Sequence, residues 1–395
     1  MLQKRLILKQ IGVFGAGNAG VAEATRIKLQ FPDVRVVLYN RDTDEKSRNK
    51  VKLLRQNEVF HLSGVYNGVA KPDVITFDVE KVVAGSDLIV VTTTANAHGF
   101  IASQMVPYLH SGQVILVFAG GIDSKFVMAK KLRQAGCRAD VTFADADTFI
   151  YATKVIELSP SRVEVLIKAK KSKLYLSVLP YGRLYPVVKN LHGAIYPDQF
   201  IACSDPLQSG IGDAPGLHII GMLGQRALIE AGKEFNFYLG LDAEMTERIE
   251  ELDRERIMVA STMGIEDSPT TRQFLNTSYG IALTSNGRDR SLFEMVHDEA
   301  TPYYNKPGDA IRSVAPTKMS HRYLYEEIMT RVVPLYYFGK ALSLRTPLHE
   351  RIIREAGEIL GRDYFREGRG LKKLGLSEND VRHWQARKKR FEDAF

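Results

Sequence analysis

The chain has 395 residues, 45% of them hydrophobic and 25% charged, with a formal net charge of +8. A chain of that length buries ample apolar surface and predicts a globular protein of two or three domains. Two cysteines, Cys137 and Cys203, are too few for a disulfide framework or a cysteine-based zinc site, so no metal centre is expected and a reducing cytoplasm fits best. The basic surplus is interleaved with acids except at Lys388-Lys389-Arg390, which reads as a solvated helix face rather than a grip on nucleic acid. A positive field of this kind favours anionic small molecules.

The longest apolar runs, residues 87–91 and 113–118, are strand-sized. They fall far short of the ~20 residues needed to cross a bilayer, so no membrane span is expected. Residues 1–9 carry a three-residue apolar core where a secretory signal needs roughly 7–15. They read as the lead-in to a first strand.

From residue 11 to 147 short β-branched runs alternate with helical stretches, the pattern of βαβ units on a parallel sheet. Strands are predicted at 11–14, 34–38, 88–91, 114–117 and 141–143, making a five-stranded nucleotide-binding sheet, with two more at 163–167 and 174–178. After about residue 190 strand runs give way to amphipathic helices. Met245, Ile249, Leu252, Val259 and Met263 share one stripe of a helix that Asp242 would cap, with Glu244 and Glu247 near its positive end. The predicted fold class is α/β: a Rossmann-type dinucleotide-binding domain over 1–188, then an all-α helical domain over 189–395. No repeat or low-complexity segment supports a solenoid or a disordered scaffold.

Gly15-Ala16-Gly17-Asn18-Ala19-Gly20 lies between the first strand and a helical stretch. Glycines at this spacing allow a tight turn, close backbone approach to a pyrophosphate and tight helix–strand packing, and the helix N-terminus then faces the phosphates. Gly15, Gly17, Asn18, Ala19 and Gly20 are therefore expected to hold a dinucleotide. The second strand ends in Tyr39-Asn40-Arg41, where an NAD-specific site would ordinarily place an acid on the ribose hydroxyls. Arg41, with Asn40, suits the 2′-phosphate of NADPH instead; Asp42 next door would restore NADH if the turn shifts by one residue. Thr92-Thr93-Thr94-Ala95-Asn96-Ala97-His98 follows the strand at 88–91, at the edge where such sheets bind ligands. Thr93 and His98 are expected beside the nicotinamide ribose, and a helix-start His98 that only packs or caps is an equal reading.

With these pieces in order, the sequence resembles the opine dehydrogenases along its length. Gly15–Gly20 resembles their GAGNxG loop, and Ala97-His98 with Gly112-Gln113 resembles the segment joining their fourth and fifth strands. Residues 145–152, DADTFIYA, are similar to their ETDTLPYA. His218 with Ile229-Glu230 and residues 252–256, LDRER, resembles the start of their helical domain. Residues 321–327, HRYLYEE, with Val333-Pro334, Thr346-Pro347, 361–365 and 374–376 complete the pattern. The resemblance implies an enzyme that reductively joins an α-keto acid to the amino group of an amino acid, with NADPH or NADH as cofactor. It nominates His218 as general acid/base, Glu327 as the acid that orients it, Arg322 as the grip on a substrate carboxylate and Thr148 as a contact to the keto acid.

Histidine suits proton transfer because its ordinary pKa lies near neutrality, and a planar guanidinium suits a carboxylate. Glu327 stands where the family has aspartate, Glu326 replaces it if the register slips, and His321 competes with His218 as acid/base. Residues five apart on a straight helix point about 140° apart, so Arg322 and Glu327 share a site only if the helix begins or bends between them; Pro334 makes a distortion plausible. Further departures are Thr153 for a cofactor-touching cysteine, Ile219 for a proline, Gln225 for an asparagine, and 327–334, EIMTRVVP, for DVPxGLVP. The alternatives are a reductase of a simple keto acid, of the ketopantoate or 2-hydroxy-acid type, and a non-catalytic NADPH-binding sensor. A homodimer is compatible with all three.

Overall fold

The computed structural model describes residues 8–212, 216–304 and 313–391; residues 1–7, most of the stretch read as a lead-in, lie outside them. The chain divides into two compact units, one of residues 1–119 and 128–202 and one of residues 120–127 and 203–391, apart from the last four residues.

Among its described residues the first unit carries twelve strands: β1 (Gln10–Phe14), β2 (Arg35–Tyr39), β3 (Phe60–Gly64), β4 (Gly68–Ala70), β5 (Val74–Thr76), β6 (Leu88–Val91), β7 (Val114–Phe118), β8 (Thr142–Ala146), β9 (Tyr151–Leu158), β10 (Val163–Lys170), β11 (Leu174–Leu179) and β12 (Phe200–Ala202). Eight form one sheet in the order β12-β11-β8-β7-β6-β1-β2-β5. Its pairs are parallel except β8 with β11. Every residue of β1, β6 and β7 is buried, and apart from Gln10 at the start of β1 the runs are apolar, as they must be when helices cover both faces. The five predicted strands are all present, in a larger sheet than expected. The two strands predicted further on part company: β11 joins this sheet antiparallel to β8, while β10 joins a second sheet ordered β4-β3-β10-β9.

The second sheet packs against the helix Asn18–Gln30 that follows the glycine loop, so that helix is covered on more than one side. Residues 20–27 are buried throughout, including Glu23 and Arg26. A charge with no water must be paired. Glu23 and Arg26 form an ion pair, the Tyr196 hydroxyl donates to Glu23 at 2.6 Å, and Arg26 donates to the Ile195 carbonyl at 3.1 Å. Removing one partner of such a pair costs about 3–5 kcal/mol.

The expected boundary at 188/189 falls inside the helix Leu184–Ala194, whose Val187, Val188 and Leu191 are buried in the first unit's core. That helix packs on β11 and β12, which carries the unit on to residue 202.

Among its described residues the second unit is helical apart from a two-stranded hairpin at 284–289. Asp242 caps the helix Ala243–Thr262 by accepting from the Met245 amide at 2.8 Å. Ile249, Leu252 and Val259 lie buried along one stripe as expected. Asp253, Glu255 and Arg256 are buried too, and each has partners. Arg256 donates to Asp253 and to the Ile211 and Pro269 carbonyls, while Glu255 accepts from the Leu348 and His349 amides at 2.8 and 3.0 Å. The Glu255 carboxylate thus caps the start of the helix Pro347–Leu360. In the terminal basic run Lys388 is an anchor rather than a solvated charge: its Nζ lies 3.0 Å from Asp205, which also accepts from Trp384 Nε1 at 3.0 Å.

Among the described residues no helix is long and apolar enough to cross a membrane, and no group of three or more His, Cys, Asp or Glu could hold a metal ion.

Candidate active site

In the first unit, β1 runs directly into Gly15, and the helix from Asn18 begins with Gly17 as an N-cap that supplies no side chain. The first amides of that helix have no intrahelical acceptor and carry its positive end. Gly20 is required by the protein itself, since a Cβ there would lie 1.7 Å from the Gly15 carbonyl oxygen. Gly17 is different: a Cβ there would meet nothing within 4 Å, which leaves the space above the loop open for a ligand. Asn18 turns its side chain to the protein, accepting from the Val155 amide at 3.1 Å.

Thr92, at the end of β6, bonds to the Phe14 carbonyl at 2.9 Å, holding the threonine segment against the glycine loop. The Thr93 hydroxyl is buried with no hydrogen-bond partner among the described residues. An open glycine cradle, uncapped amides and an orphaned hydroxyl are what a dinucleotide's phosphates and ribose would fill. His98 is fully buried, and its Nε2 lies 3.1 Å from the Thr93 carbonyl. That contact fits the packing reading of this residue.

At the end of β2 the Asn40 amide donates to the Thr76 carbonyl at 3.0 Å. Arg41 is exposed, its guanidinium 5.3 Å from the centre of the Phe100 ring, whereas Asp42 is engaged with Arg48 at 2.8 Å. Thr148 lies between β8 and β9, half-buried, its amide donating to Asp147 at 2.8 Å. Thr153 stands on β9 and donates to the Leu166 carbonyl at 2.8 Å, a strand-pairing role.

In the second unit the helices Gly216–Gly224 and Arg322–Glu327 pack together and bring His218 and Glu327 face to face. His218 Nδ1 lies 2.6 Å from Glu327 Oε1, with the imidazole 26% exposed and the carboxylate 9%. Burial alone would push the Glu327 carboxyl up, but His218, Arg331 and Arg322 outweigh it and hold it below the ordinary glutamate range. The carboxylate stays charged and holds the ring through Nδ1.

The helix carrying Glu327 starts at Arg322, capped by His321, and passes into a wider π-turn at Ile328–Val332 just after Glu327. Arg322 is therefore free to lie outward, its side chain 54% exposed and 3.8 Å from Glu326, while Glu327 points to His218. Glu327, not Glu326, is the dyad partner by geometry. Burial, with Arg322 and His218 nearby, pushes His321 down to about 4, against a smaller pull from Glu327. An imidazole so held is neutral near pH 7 and a poor proton donor beside His218.

Aromatic residues surround the dyad. Tyr323 stacks on His218, Tyr238 donates or accepts at its Nε2 from 2.8 Å, and Tyr303 stacks on Tyr238 at 3.9 Å. Sequence reasoning missed Tyr238 and Tyr303, which are two of 17 tyrosines with no spacing that marks them. Only Tyr323, inside the stretch 321–327, sat in a motif. Gln225 braces the loop that carries Tyr238, donating to the Phe237 carbonyl at 3.1 Å.

Residues 205–360 match the family described as NAD/NADP octopine/nopaline dehydrogenase, alpha-helical domain. Over 373 residues the chain is 26% identical to an opine dehydrogenase of Arthrobacter sp. (strain 1C), covering 93% of this chain and 96% of that protein. The chain is thus similar to opine dehydrogenases over nearly its whole length. It is also 22% identical to protein ocs of Agrobacterium tumefaciens (strain Ach5), over 95% of this chain and 97% of that one. The fold is that of a solved octopine dehydrogenase with NADH and L-arginine, at TM-score 0.72 and 20% identity over 95% of this chain and 98% of the other. A yersinopine dehydrogenase with NADP+ bound aligns at TM-score 0.69 and 16% identity, over 96% and 99%. The chain thus carries the same α/β and helical units as these solved structures.

Proposed function

We propose that the protein is an NAD(P)H-dependent opine dehydrogenase, which reductively and reversibly condenses an α-keto acid with the amino group of an amino acid. The observation that carries this reading is the 2.6 Å pairing of His218 Nδ1 with a charged, buried Glu327 in the family's helical domain. In this reading the two substrates condense to an imine. The nicotinamide, when bound, supplies the hydride to the imine carbon. Gly15, Gly17, Ala19 and Gly20 receive the dinucleotide at the helix N-terminus, with Asn18 bracing the loop and Thr93 meeting the ribose. His218 manages the proton at the reacting nitrogen and Glu327 holds its tautomer. Arg322, exposed and planar, takes a substrate carboxylate, and Thr148 contacts the keto acid.

For the cofactor the reading favours NADPH. Arg41 is exposed and Asp42 is occupied by Arg48, so the turn offers a cation rather than an acid to the adenosine ribose. Relatives have been solved with NADH and with NADP+.

The test is a matrix of keto acids, pyruvate among them, against amino acids, followed by cofactor absorbance and product mass. Turnover that requires both substrates and yields a secondary amine dicarboxylate is expected. Cofactor oxidation by a keto acid alone, indifferent to added amine, would replace this reading with a simple keto-acid reductase. Dinucleotide binding without turnover across the matrix would replace it with a sensor.

A further inference from the structure

We infer that the Tyr238 hydroxyl is a catalytic group that passes the proton between His218 and the substrate nitrogen, an inference resting on the reading of His218 as the acid/base. Both ring nitrogens of His218 are taken: Nδ1 by Glu327 at 2.6 Å and Nε2 by the Tyr238 hydroxyl at 2.8 Å. The ring is accessible, yet it offers no nitrogen to a substrate while Tyr238 stays in place.

Tyr238 is built to stay. Its ring stacks on Tyr303 with centroids 3.9 Å apart and planes 18° from parallel, and meets Phe237 edge-on at 5.2 Å. Its amide is held by Asn236 Oδ1 at 3.1 Å, and the preceding carbonyl, of Phe237, by Gln225. A side chain fixed at this many points is a poor candidate for displacement. The hydroxyl itself is one torsion from exchanging roles, since a phenol both donates and accepts. The residue is partly exposed, as is the imidazole it meets. Burial, reinforced by the neighbouring Tyr323 and Tyr303 phenols, pushes the Tyr238 hydroxyl well above its ordinary pKa and keeps its proton on between turnovers.

The step balances. In the reductive direction the nitrogen takes the proton of Tyr238 Oη, and Oη takes a proton from the protonated His218 at Nε2. His218 ends neutral with its remaining proton on Nδ1, facing Glu327. The carbon's electron pair arrives with the hydride, so the relay moves protons only, and the oxidative direction reverses it.

The experiment compares wild type, Tyr238→Phe, Tyr323→Phe and His218→Asn, with NADPH and whichever keto acid and amino acid turn over fastest in the matrix above. Phenylalanine keeps the stacked ring, and a melting temperature within a few degrees of wild type certifies the fold. The readouts are the single-turnover rate of cofactor oxidation, KM, and the proton inventory in H2O/D2O mixtures. The relay requires Tyr238→Phe to slow the single turnover on the order of 10²-fold with KM near wild type. It also requires a bowed inventory, from two protons in flight, to become linear in Tyr238→Phe and to stay bowed in Tyr323→Phe. A Tyr238→Phe rate within twofold of wild type, or a loss confined to KM, overturns the relay, as does a loss that falls on Tyr323→Phe instead. If His218→Asn is inactive in that case, the role of His218 survives. If His218→Asn turns over like wild type, the underlying reading fails as well.

Discussion

The imidazole of His218 lies flat on the phenol ring of Tyr323, with centroids 3.8 Å apart and planes 5° from parallel. Stacking of this kind fixes the ring's plane, and a facing π-cloud favours the imidazolium as it forms; such contacts contribute about 0.5–2 kcal/mol. Tyr323→Leu is expected to lower kcat about 3- to 30-fold, as that energy implies, while Tyr323→Phe stays within about twofold. Equal losses in both variants would assign the effect to the hydroxyl, not to the stack.

His218 itself is tested by removal. His218→Ala is expected to leave cofactor binding intact, by dinucleotide fluorescence titration, and to lower the reductive rate by roughly two to four orders of magnitude. An unchanged turnover number would take the residue out of the mechanism.

The pairing of His218 with Glu327 also makes a statement about acid stability. The folded protein holds the Glu327 carboxyl below its ordinary range. Its contribution is therefore complete above the unfolded glutamate pKa of about 4.3 and is lost as pH falls through the lower folded value. Thermal melts of wild type and Glu327→Gln should differ by about 1–3 kcal/mol at neutral pH. The gap should narrow as the buffer is taken from pH 5 towards pH 3; a gap that widens would contradict the sign of the shift.

Arg41 and Asp42 divide the two cofactors between them. With Asp42 engaged by Arg48 and Arg41 exposed over Phe100, Arg41→Ala should weaken NADPH by at least tenfold more than NADH. Equal losses for the two cofactors would refute the 2′-phosphate assignment.

The glycine loop separates a folding requirement from a binding one. A methyl group at Gly20 collides with the Gly15 carbonyl, so Gly20→Ala should lower the melting temperature by several degrees even without cofactor. At Gly17 the same methyl meets open space, so Gly17→Ala should melt like wild type and lose dinucleotide affinity. Unchanged affinity in Gly17→Ala would mean that no phosphate approaches there.

Local order made much of this protein legible before any coordinates. The strands 11–14, 88–91 and 114–117 were readable because a fully buried parallel strand must be apolar without interruption. The glycine spacing at 15–20 was readable because its function depends on adjacent backbone. The cap at Asp242 and the stripe from Ile249 to Val259 depend only on residues within a few turns of one helix. What the sequence left open are relationships between residues far apart in the chain. Strands β10 and β11 look alike as sequence yet enter different sheets, because pairing partners are chosen by topology. Glu23, Arg26, Asp253 and Arg256 are charged residues on helices, and only the packing of a second sheet or a neighbouring loop against those helices buries them. The choice of Glu327 over Glu326 and the placement of Tyr238 on the second nitrogen of His218 were decided in three dimensions. A hydrogen bond between residues 109 or 20 positions apart is set by helix packing and a braced loop, and no spacing along the chain encodes it.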